Sequence, residues 1–426
     1  MAKSRFKNFV GQLHLWLGLA SGIIVFMLGI TGCILAFEVE IKEWWYADRL
    51  FVASEPNEQP LPLSQSLAAA QREMGVDIGV QRLLVPGDPD RSVVAVNYTD
   101  TGVPKSDGVW YWDGIERYLH VYVDPYTAQV LGQHDEKFDF FYFVEWLHYS
   151  LLLRTDLGKH IIGTATLIFV ILLITGLVLW WPKTKKALKM NTWFRWKPTT
   201  KWKRKNYDLH NIVGFYSMFL VIFIALTGLM WAFAWFDNGV QWMANGGQTI
   251  EKERPTIEST ITTSGGVQQP LDIIHHSLKT DYAEAEMYYI NLPHDSAGTI
   301  NGYVKYADRT KNVNLQFDQY SGALLHTANR WADKTGGEKV WAYNYDVHTG
   351  AIGGIVGKTI AFFLSLFAAS FPVTGTYIWW VKYQNKRRAE RKRRERERRK
   401  STRGRERPGY QLQTTPEEGK VPETVR

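Results

Sequence analysis

The chain has 426 residues, of which 45% are hydrophobic, and it carries a formal net charge of +8. The basic excess lies in two stretches that flank apolar segments, which favours contact with anionic lipid and argues against a nucleic-acid partner. The only cysteine, Cys33, lies inside the first apolar segment. This excludes intramolecular disulfides, c-type haem attachment through a CxxCH motif and cysteine-ligated iron–sulfur clusters.

Four segments predict transmembrane helices: each has about twenty residues and almost no charge, the length that a helix needs to cross about 30 Å of hydrocarbon. The first follows a basic start, but its apolar run is too long for a signal peptide, so we interpret it as an uncleaved helix. Tryptophans at the segment ends are typical interfacial anchors. The segments are residues 15–37, 161–181, 212–236 and 360–381.

Charge predicts the orientation of these helices. Residues 183–205 hold ten Lys or Arg and no acid, and the chain end is similarly basic, whereas residues 38–147 and 237–347 carry more acids than bases. Basic segments remain on the cytoplasmic side. We therefore expect a multi-pass protein of a bacterial inner membrane, with both termini in the cytoplasm and both large polar regions in the periplasm.

The two halves of the chain resemble each other. "TGLVLWWPK" begins at Thr175 and "TGTYIWWVK" at Thr374, and the polar stretches "VDPYTAQVL" and "FDQYSGALL" also match. His210 follows His14 by 196 residues, the same spacing that separates the "TG" pairs of "TGCILAF" and "TGLMWAF". Such a steady spacing indicates an internal repeat. Two spans per repeat predict two parallel repeats.

Each outer region reads as one helix followed by antiparallel hairpins, an α+β pattern. The helices are predicted at 62–74 and 270–280, and the strands at 91–99, 116–124 and 128–133 and at 285–293, 299–307 and 312–318. The fold class is a helical membrane protein with α+β extramembrane domains. The predicted order is a transmembrane helix at 1–37, a periplasmic domain at 38–147, a helix at 148–182, a basic cytoplasmic loop at 183–206, a helix at 207–236, a periplasmic domain at 237–347, a helix at 348–383 and a disordered basic tail at 384–426.

The motifs "LHxxxG", "TG", "LHYSLLL", "TGLVLWWP" and "VDPYTAQVL", in this order over about residues 8 to 383, resemble the PepSY-associated transmembrane family, also called iron-regulated membrane proteins. The resemblance implies a PepSY-like domain in each periplasmic region. It also implies a relation to bacterial inner-membrane ferric-siderophore reductases that bind two haems, although other members of the family have vaguer functions.

Five histidines lie at or near the predicted spans: His14, His148, His160, His210 and His348. Ionisable side chains at such positions are costly and tend to be functional. Neutral imidazole is the usual protein ligand of haem iron when no cysteine is available, so we predict two b-type haems in each chain. The alternative is that these histidines are hydrogen-bonded residues of the membrane interface.

Position predicts which histidines share an iron. His14 and His210 lie about 25 Å along a helix from the outer "TG" pairs, which places both at the inner face. His148 and His348 precede spans that descend from the outside, so they form an outer pair. A straight helix would lift His148 well above the hydrocarbon. Either the outer haem then lies in a pocket under the periplasmic domains, or residues 138–153 fold back along the interface. His160 has no partner in the other half and is the alternative outer ligand.

We expect an oxidoreductase that passes electrons to periplasmic ferric chelates, with ferric siderophores as the expected substrates. The sequence has no GxGxxG nucleotide fingerprint, so a separate flavoprotein or quinol would supply the electrons. Two other classes remain open. One is a haem-free binding or regulatory protein, and the other is a transporter, although the spans offer only Pro372 as an interruption.

Overall fold

The computed structural model describes residues 5–53, 58–75, 77–100, 108–252, 255–260 and 268–405. The chain divides into two compact units, residues 1–375 and 376–426. Within the described residues, four helical stretches are long and apolar enough to cross a membrane, as the sequence predicts. They are Arg5–Leu35, Leu157–Trp180, Trp202–Ala232 and Ala351–Arg398.

The helices are numbered in chain order. The first half contains α1 (Arg5–Leu35), α2 (Glu38–Trp45), α3 (Ala47–Leu50), α4 (Leu63–Met74), α5 (Tyr111–Gly114), α6 (Phe140–Ser150) and α7 (Thr155–Trp180). The second half contains α8 (Lys185–Asn191), α9 (Trp202–Asp208), α10 (Gly214–Ala232), α11 (Ala234–Ala244), α12 (Gln268–Asp281), α13 (Gly336–Thr349) and α14 (Gly354–Arg405).

The second span does not begin at His148. The prediction of one helix over 148–182 is wrong, because Leu151 and Leu152 adopt left-handed conformations with φ of 58° and 63°. These two residues separate α6 from α7 and reverse the chain direction. The fourth span differs from the predicted 348–383 in the same way, since Gly350 with φ of 77° ends α13 before α14 begins.

Backbone hydrogen bonds hold the break between α6 and α7. The Tyr111 N–H donates to the Leu152 carbonyl at 2.9 Å, and the Arg154 N–H donates to the Val109 carbonyl at 2.9 Å. As a result α6 packs against α1 and α7 instead of extending α7 outward. Residues 138–153 therefore fold back, as one of the two alternatives required. His148 does not lie on a straight outward extension of α7.

The third span also has an irregular start. One turn of π-helix, Leu209–Val213, joins α9 to α10 and contains His210. Such wide turns are rare and often occur at functional sites. The predicted helix at 207–236 therefore consists of a π turn, α10 and the first residues of α11, with a break at Phe233 where the backbone becomes extended.

Both polar regions build one sheet, which is a correction to the prediction of two separate domains. The eight antiparallel strands lie in the order β4-β3-β2-β1-β5-β6-β7-β8, and Leu83 of β1 faces Ile290 of β5. The strands are β1 (Arg82–Pro86), β2 (Val93–Asp100), β3 (Ile115–Val123), β4 (Val130–Asp135), β5 (Met287–Asn291), β6 (Thr299–Lys305), β7 (Val313–Asp318) and β8 (Leu324–Ala328).

One core serves both halves of this sheet. Buried residues of β1 and β5 join those of α4 and α12 in a single hydrophobic cluster, and Leu83, Ile290 and Leu271 are completely buried in it. The two helices also touch through polar groups, since the Ser64 hydroxyl donates to an oxygen of Asp272 at 2.6 Å. The membrane protein therefore carries one extramembrane α+β layer to which each half of the chain contributes four strands.

The predicted disorder of the basic tail is wrong for residues 384–405, which continue α14 as a helix. Arg, Lys and Glu are good helix formers, and Arg391–Glu395 and Arg393–Glu397 form pairs at the favourable four-residue spacing, each at 3.0 Å. Residues 406–426 lie outside the described part of the chain.

Candidate functional site

Four of the five predicted histidines form two facing pairs. His14 of α1 faces His210 of the π turn, with ring centres 6.5 Å apart and ring planes at 90°. His148 of α6 faces His348 of α13, with ring centres 6.1 Å apart and planes at 74°. Each half of the chain contributes one histidine to each pair. The structure thus brings together the residues that were assigned to the inner and to the outer site.

A threonine hydroxyl from another helix of the same half contacts each imidazole. Nδ1 of His14 lies 2.9 Å from Oγ1 of Thr175, and Nδ1 of His210 lies 2.8 Å from Oγ1 of Thr374. In the outer pair the corresponding distances are 2.8 Å from His148 to Thr31 and 2.9 Å from His348 to Thr227.

The threonines fix the tautomer of the imidazoles. Each hydroxyl already donates its single hydrogen to backbone carbonyls of its own helix, for example that of Thr31 to the Met27 carbonyl at 2.7 Å and that of Thr175 to the Ile171 carbonyl at 2.8 Å. Thr227 and Thr374 do the same. The threonine oxygen therefore accepts from the imidazole, so Nδ1 carries the hydrogen and Nε2 carries the lone pair.

His348 gives independent support for this assignment, because its Nδ1 also lies 3.0 Å from the Ile224 carbonyl. A carbonyl oxygen can only accept a hydrogen bond, so this Nδ1 must be the protonated nitrogen. Metal-ligating histidines usually donate from the other ring nitrogen in this manner, which fixes the ring orientation.

The glycine after each threonine leaves room for the imidazole. A Cβ at Gly375 would lie 3.3 Å from Cε1 of His210, and one at Gly176 would lie 3.4 Å from Cε1 of His14. The distances at Gly32 and Gly228 are both 3.5 Å, to His148 and His348. The four Thr-Gly pairs that lie in the membrane-spanning helices thus each contact one imidazole. Sequence reasoning used these pairs to recognise the repeat and the family and to place His14 and His210 by depth. Their recurrence in all four spans marks them as a shared feature, but only the packing of the helices shows that they contact the imidazoles.

Two asparagines were not predicted. The side-chain amide of Asn206 donates to the Thr374 carbonyl at 3.0 Å, and that of Asn344 donates to the Thr227 carbonyl at 3.1 Å. Each asparagine lies one helical turn before the histidine of its pair and is almost completely buried. These amides join the backbone of the histidine helix to that of the threonine helix.

The pairs have the dimensions of a two-imidazole metal site. A metal ion bound by both Nε2 atoms lies about 2 Å from each nitrogen and roughly 3 Å from each ring centre, so the ring centres would be about 6 Å apart. The observed separations of 6.5 and 6.1 Å agree with this value. All four histidines are only partly buried, which leaves accessible space beside the rings. The residues present therefore fit a haem at each site, which His14 and His210 would hold at one site and His148 and His348 at the other.

His160 is not part of either pair. It is exposed on α7, and its ring lies 6.3 Å from that of Phe233. At Gly18 and Gly214, one helical turn beyond His14 and His210, an added Cβ would meet its nearest neighbours at 3.9 Å, on Leu172 and Phe371. The structure therefore favours His148 over His160 as the outer residue, while haem ligation itself stays a prediction.

Comparison with known proteins identifies the family. The family described as PepSY-associated TM region matches residues 12–382, which include both histidine pairs, all eight strands and most of the described helices. No curated protein matches the chain. The match agrees with the resemblance seen in the sequence motifs and covers most of the chain. The chain therefore belongs to the PepSY-associated transmembrane family.

Proposed function

We propose that the protein is a dihaem oxidoreductase of the bacterial inner membrane that passes electrons to periplasmic ferric chelates, ferric siderophores among them. The observation that carries the proposal is the arrangement of four imidazoles in two facing pairs, each ring held through Nδ1 by a threonine of another helix. Interfacial histidines without a cofactor have no need for such a matched arrangement.

His14 and His210 would hold one b-type haem, and His148 and His348 the other. Bound haem supplies one-electron transfer between the ferrous and ferric states. The chain's own groups do the positioning: the threonines keep Nδ1 protonated, Nε2 faces the iron position, and the glycines admit the rings.

The direction of electron flow follows from the charge distribution. The loop at 183–205 is strongly basic and belongs on the cytoplasmic side, so the sheet lies in the periplasm. In this orientation His14 and His210 would hold the haem nearer to a separate flavoprotein or quinol donor, and His148 and His348 would hold the haem nearer to the chelate. Reduction to ferrous iron weakens hard oxygen ligation, so that the chelate releases its metal.

We further propose that the halves are parallel repeats, each with a PepSY-like half-domain, related by a pseudo-twofold axis along the membrane normal. The mirrored strand order on either side of the β1–β5 pair supports this, as do the matching histidine–threonine contacts. Superposition of α1 and α7 on α10 and α14, helix on helix, tests the relation.

The decisive experiment is an absorption spectrum of the purified full chain with a haem assay. We expect a Soret band, α bands that sharpen on dithionite reduction, and two haems per chain. Alanine at His14 or His210 should remove one haem, and alanine at His148 or His348 should remove the other. His160→Ala is the control and should retain both. A colourless, folded protein would instead support the haem-free binding or regulatory alternative.

A further inference from the structure

A second group of potential metal ligands lies where the sheet meets α6. β4 ends at Asp135, a short 3-10 turn covers Glu136–Phe138, and Asp139 caps α6. One ligand atom each from His134, Glu136 and Asp139 lie within 4.8 Å of one another. The spacing His-x-Glu-x-x-Asp places all three side chains at one turn of the chain. None of these residues belongs to the two histidine pairs.

The carboxylates of Glu136 and Asp139 are buried, and no Lys or Arg of the described residues forms an ion pair with either of them. Glu136 is 6% exposed and Asp139 is 3% exposed. Among the described residues, their ion-pair contacts involve imidazoles only: His120 lies 3.4 Å from Glu136, and His134 lies 3.5 Å from Asp139. Buried charges in proteins are usually paired or coordinate a metal.

The nearest basic side chains make other contacts. Lys42 pairs with Glu38 at 2.7 Å, and the Arg49 guanidinium stacks 3.8 Å from the ring centre of Tyr46. These two cations contribute positive potential near the carboxylates but do not occupy their oxygens. Nε2 of His134 is itself buried and makes no hydrogen bond within the described chain. The closest ion-pair contact of this nitrogen is Oδ2 of Asp139 at 3.5 Å, so the imidazole and the carboxylate face each other within the cluster without a hydrogen bond between them.

Outer hydrogen bonds orient the carboxylates. The Tyr46 hydroxyl donates to Oδ2 of Asp139, and the Tyr122 hydroxyl donates to Oε1 of Glu136 at 3.3 Å. The other oxygen of Asp139 accepts the backbone N–H of Phe141 at 2.8 Å. Hydrogen-bonded carboxylates and imidazoles with fixed orientation are typical of metal centres.

We propose that His134, Glu136 and Asp139 bind one divalent first-row transition-metal ion, such as Fe²⁺ or Zn²⁺, on the extramembrane side of the outer histidine pair. A mixed imidazole and carboxylate set suits these ions better than Mg²⁺ or Ca²⁺, which prefer oxygen alone. Asp139 precedes His148 by nine residues of one helix, which corresponds to about 14 Å. The site does not depend on haem binding at the pairs.

Equilibrium dialysis of the untagged full chain in detergent against Zn²⁺, followed by elemental analysis, tests this site. We expect the wild type to bind one more Zn²⁺ per chain than variants that lack a ligand side chain. Glu136→Gln, Asp139→Asn and His134→Gln should each weaken binding by about 10–100-fold. Asparagine is also a good helix cap, so Asp139→Asn should preserve α6. Glu116→Gln removes an exposed carboxylate of the neighbouring strand β3 and should bind like the wild type.

The outcomes separate this site from the proposed redox function, because haem content is measured on the same samples. A colourless chain that binds Zn²⁺ through these residues would support the site and contradict only the haem proposal. Equal Zn²⁺ binding by the wild type and all three ligand variants would overturn the site, as would a wild type that binds no Zn²⁺.

Discussion

A threonine hydroxyl decides, at each of the four paired histidines, which ring nitrogen carries the hydrogen. Thr31 shows the arrangement. Its hydroxyl donates a hydrogen bond to a carbonyl of its own helix, and its oxygen accepts a hydrogen bond from Nδ1 of His148. A neutral imidazole without such a partner can exchange tautomers or rotate. If the imidazole binds a metal as proposed, the hydroxyl is the outer contact that orients it.

Thr31→Val should weaken haem retention at the outer pair, because valine keeps the branched shape but cannot accept the Nδ1 hydrogen. Loss of such a supporting contact typically costs about 10–100-fold in metal-site affinity. Transfer of haem to an excess of a haem-binding apoprotein measures the effect. Thr166→Val is the matched control, since the Thr166 hydroxyl bonds only within its own helix in the described contacts. Equal transfer rates for both variants would contradict the role of Thr31.

At this scale the histidines could be predicted from the sequence and their supports could not. A histidine near a membrane span is conspicuous because its burial is costly. A threonine in a span is common, and Thr175 is far from His14 along the chain. Only the packing of α1 against α7 brings the two side chains to 2.9 Å. The repeat in the sequence located both motifs without showing that they touch.

At the scale of helices, the packing of α1 against α14 depends on how closely the two backbones approach each other. Gly29 of α1 faces α14, where an added Cβ would lie 2.6 Å from the Ser365 carbonyl oxygen and 2.7 Å from the Ala369 nitrogen. Small residues at such crossings let membrane helices pack through their backbones. These neighbours are backbone atoms, so they cannot move aside as a flexible side chain would.

Gly29→Ala should destabilise the bundle by about 1–3 kcal/mol, the usual cost of overpacking a tight contact. Thermal unfolding in detergent, followed by circular dichroism, measures the change. Gly11→Ala is the control on the same helix, because its Cβ would meet only Leu179 at 3.8 Å. A Gly29 variant as stable as the Gly11 variant would show that α1 and α14 are not in close contact.

The asparagines predict a difference between the inner and the outer histidine pair. Asn206→Leu should disturb the inner pair, and Asn344→Leu should disturb the outer pair, because each substitution removes an amide that joins the histidine helix to the threonine backbone. We expect a shift in the low-spin electron paramagnetic resonance signal of one haem in each variant. Each variant is the control for the other. Identical spectra from both would contradict separate roles.

At the scale of the whole molecule, the central pairing of β1 with β5 makes the sheet one structural unit. Strands β2 to β7 were largely predicted from alternation and turn residues. The predicted strands did not include β8, and they did not include β1. Its sequence is short and almost uniformly apolar, so it lacks the alternation that marks a half-buried strand. The missed strand is the one that joins the halves, which explains why two domains were expected.

Leu83→Ala should therefore loosen both halves of the sheet. Leu83 is completely buried in the shared core, and such truncations cost about 2–5 kcal/mol. Hydrogen exchange should show lost protection in β6 of the second half as well as in β2 of the first. Leu324→Ala, at the exposed edge strand β8, should have little effect. Loss of hydrogen-exchange protection confined to the first half would indicate two separately folding domains.

The contribution of one histidine from each half to each pair has a consequence for electron exchange. Any sliding of one half past the other would change the ring separation at both sites at once. The continuous sheet resists such sliding because the halves share backbone hydrogen bonds from Arg82 to Pro86 and a single core. The two histidines of each pair would then keep their separation in both oxidation states of the haem proposed there. We therefore expect a small reorganisation energy at both sites, which would allow fast transfer even where the difference in potential is slight.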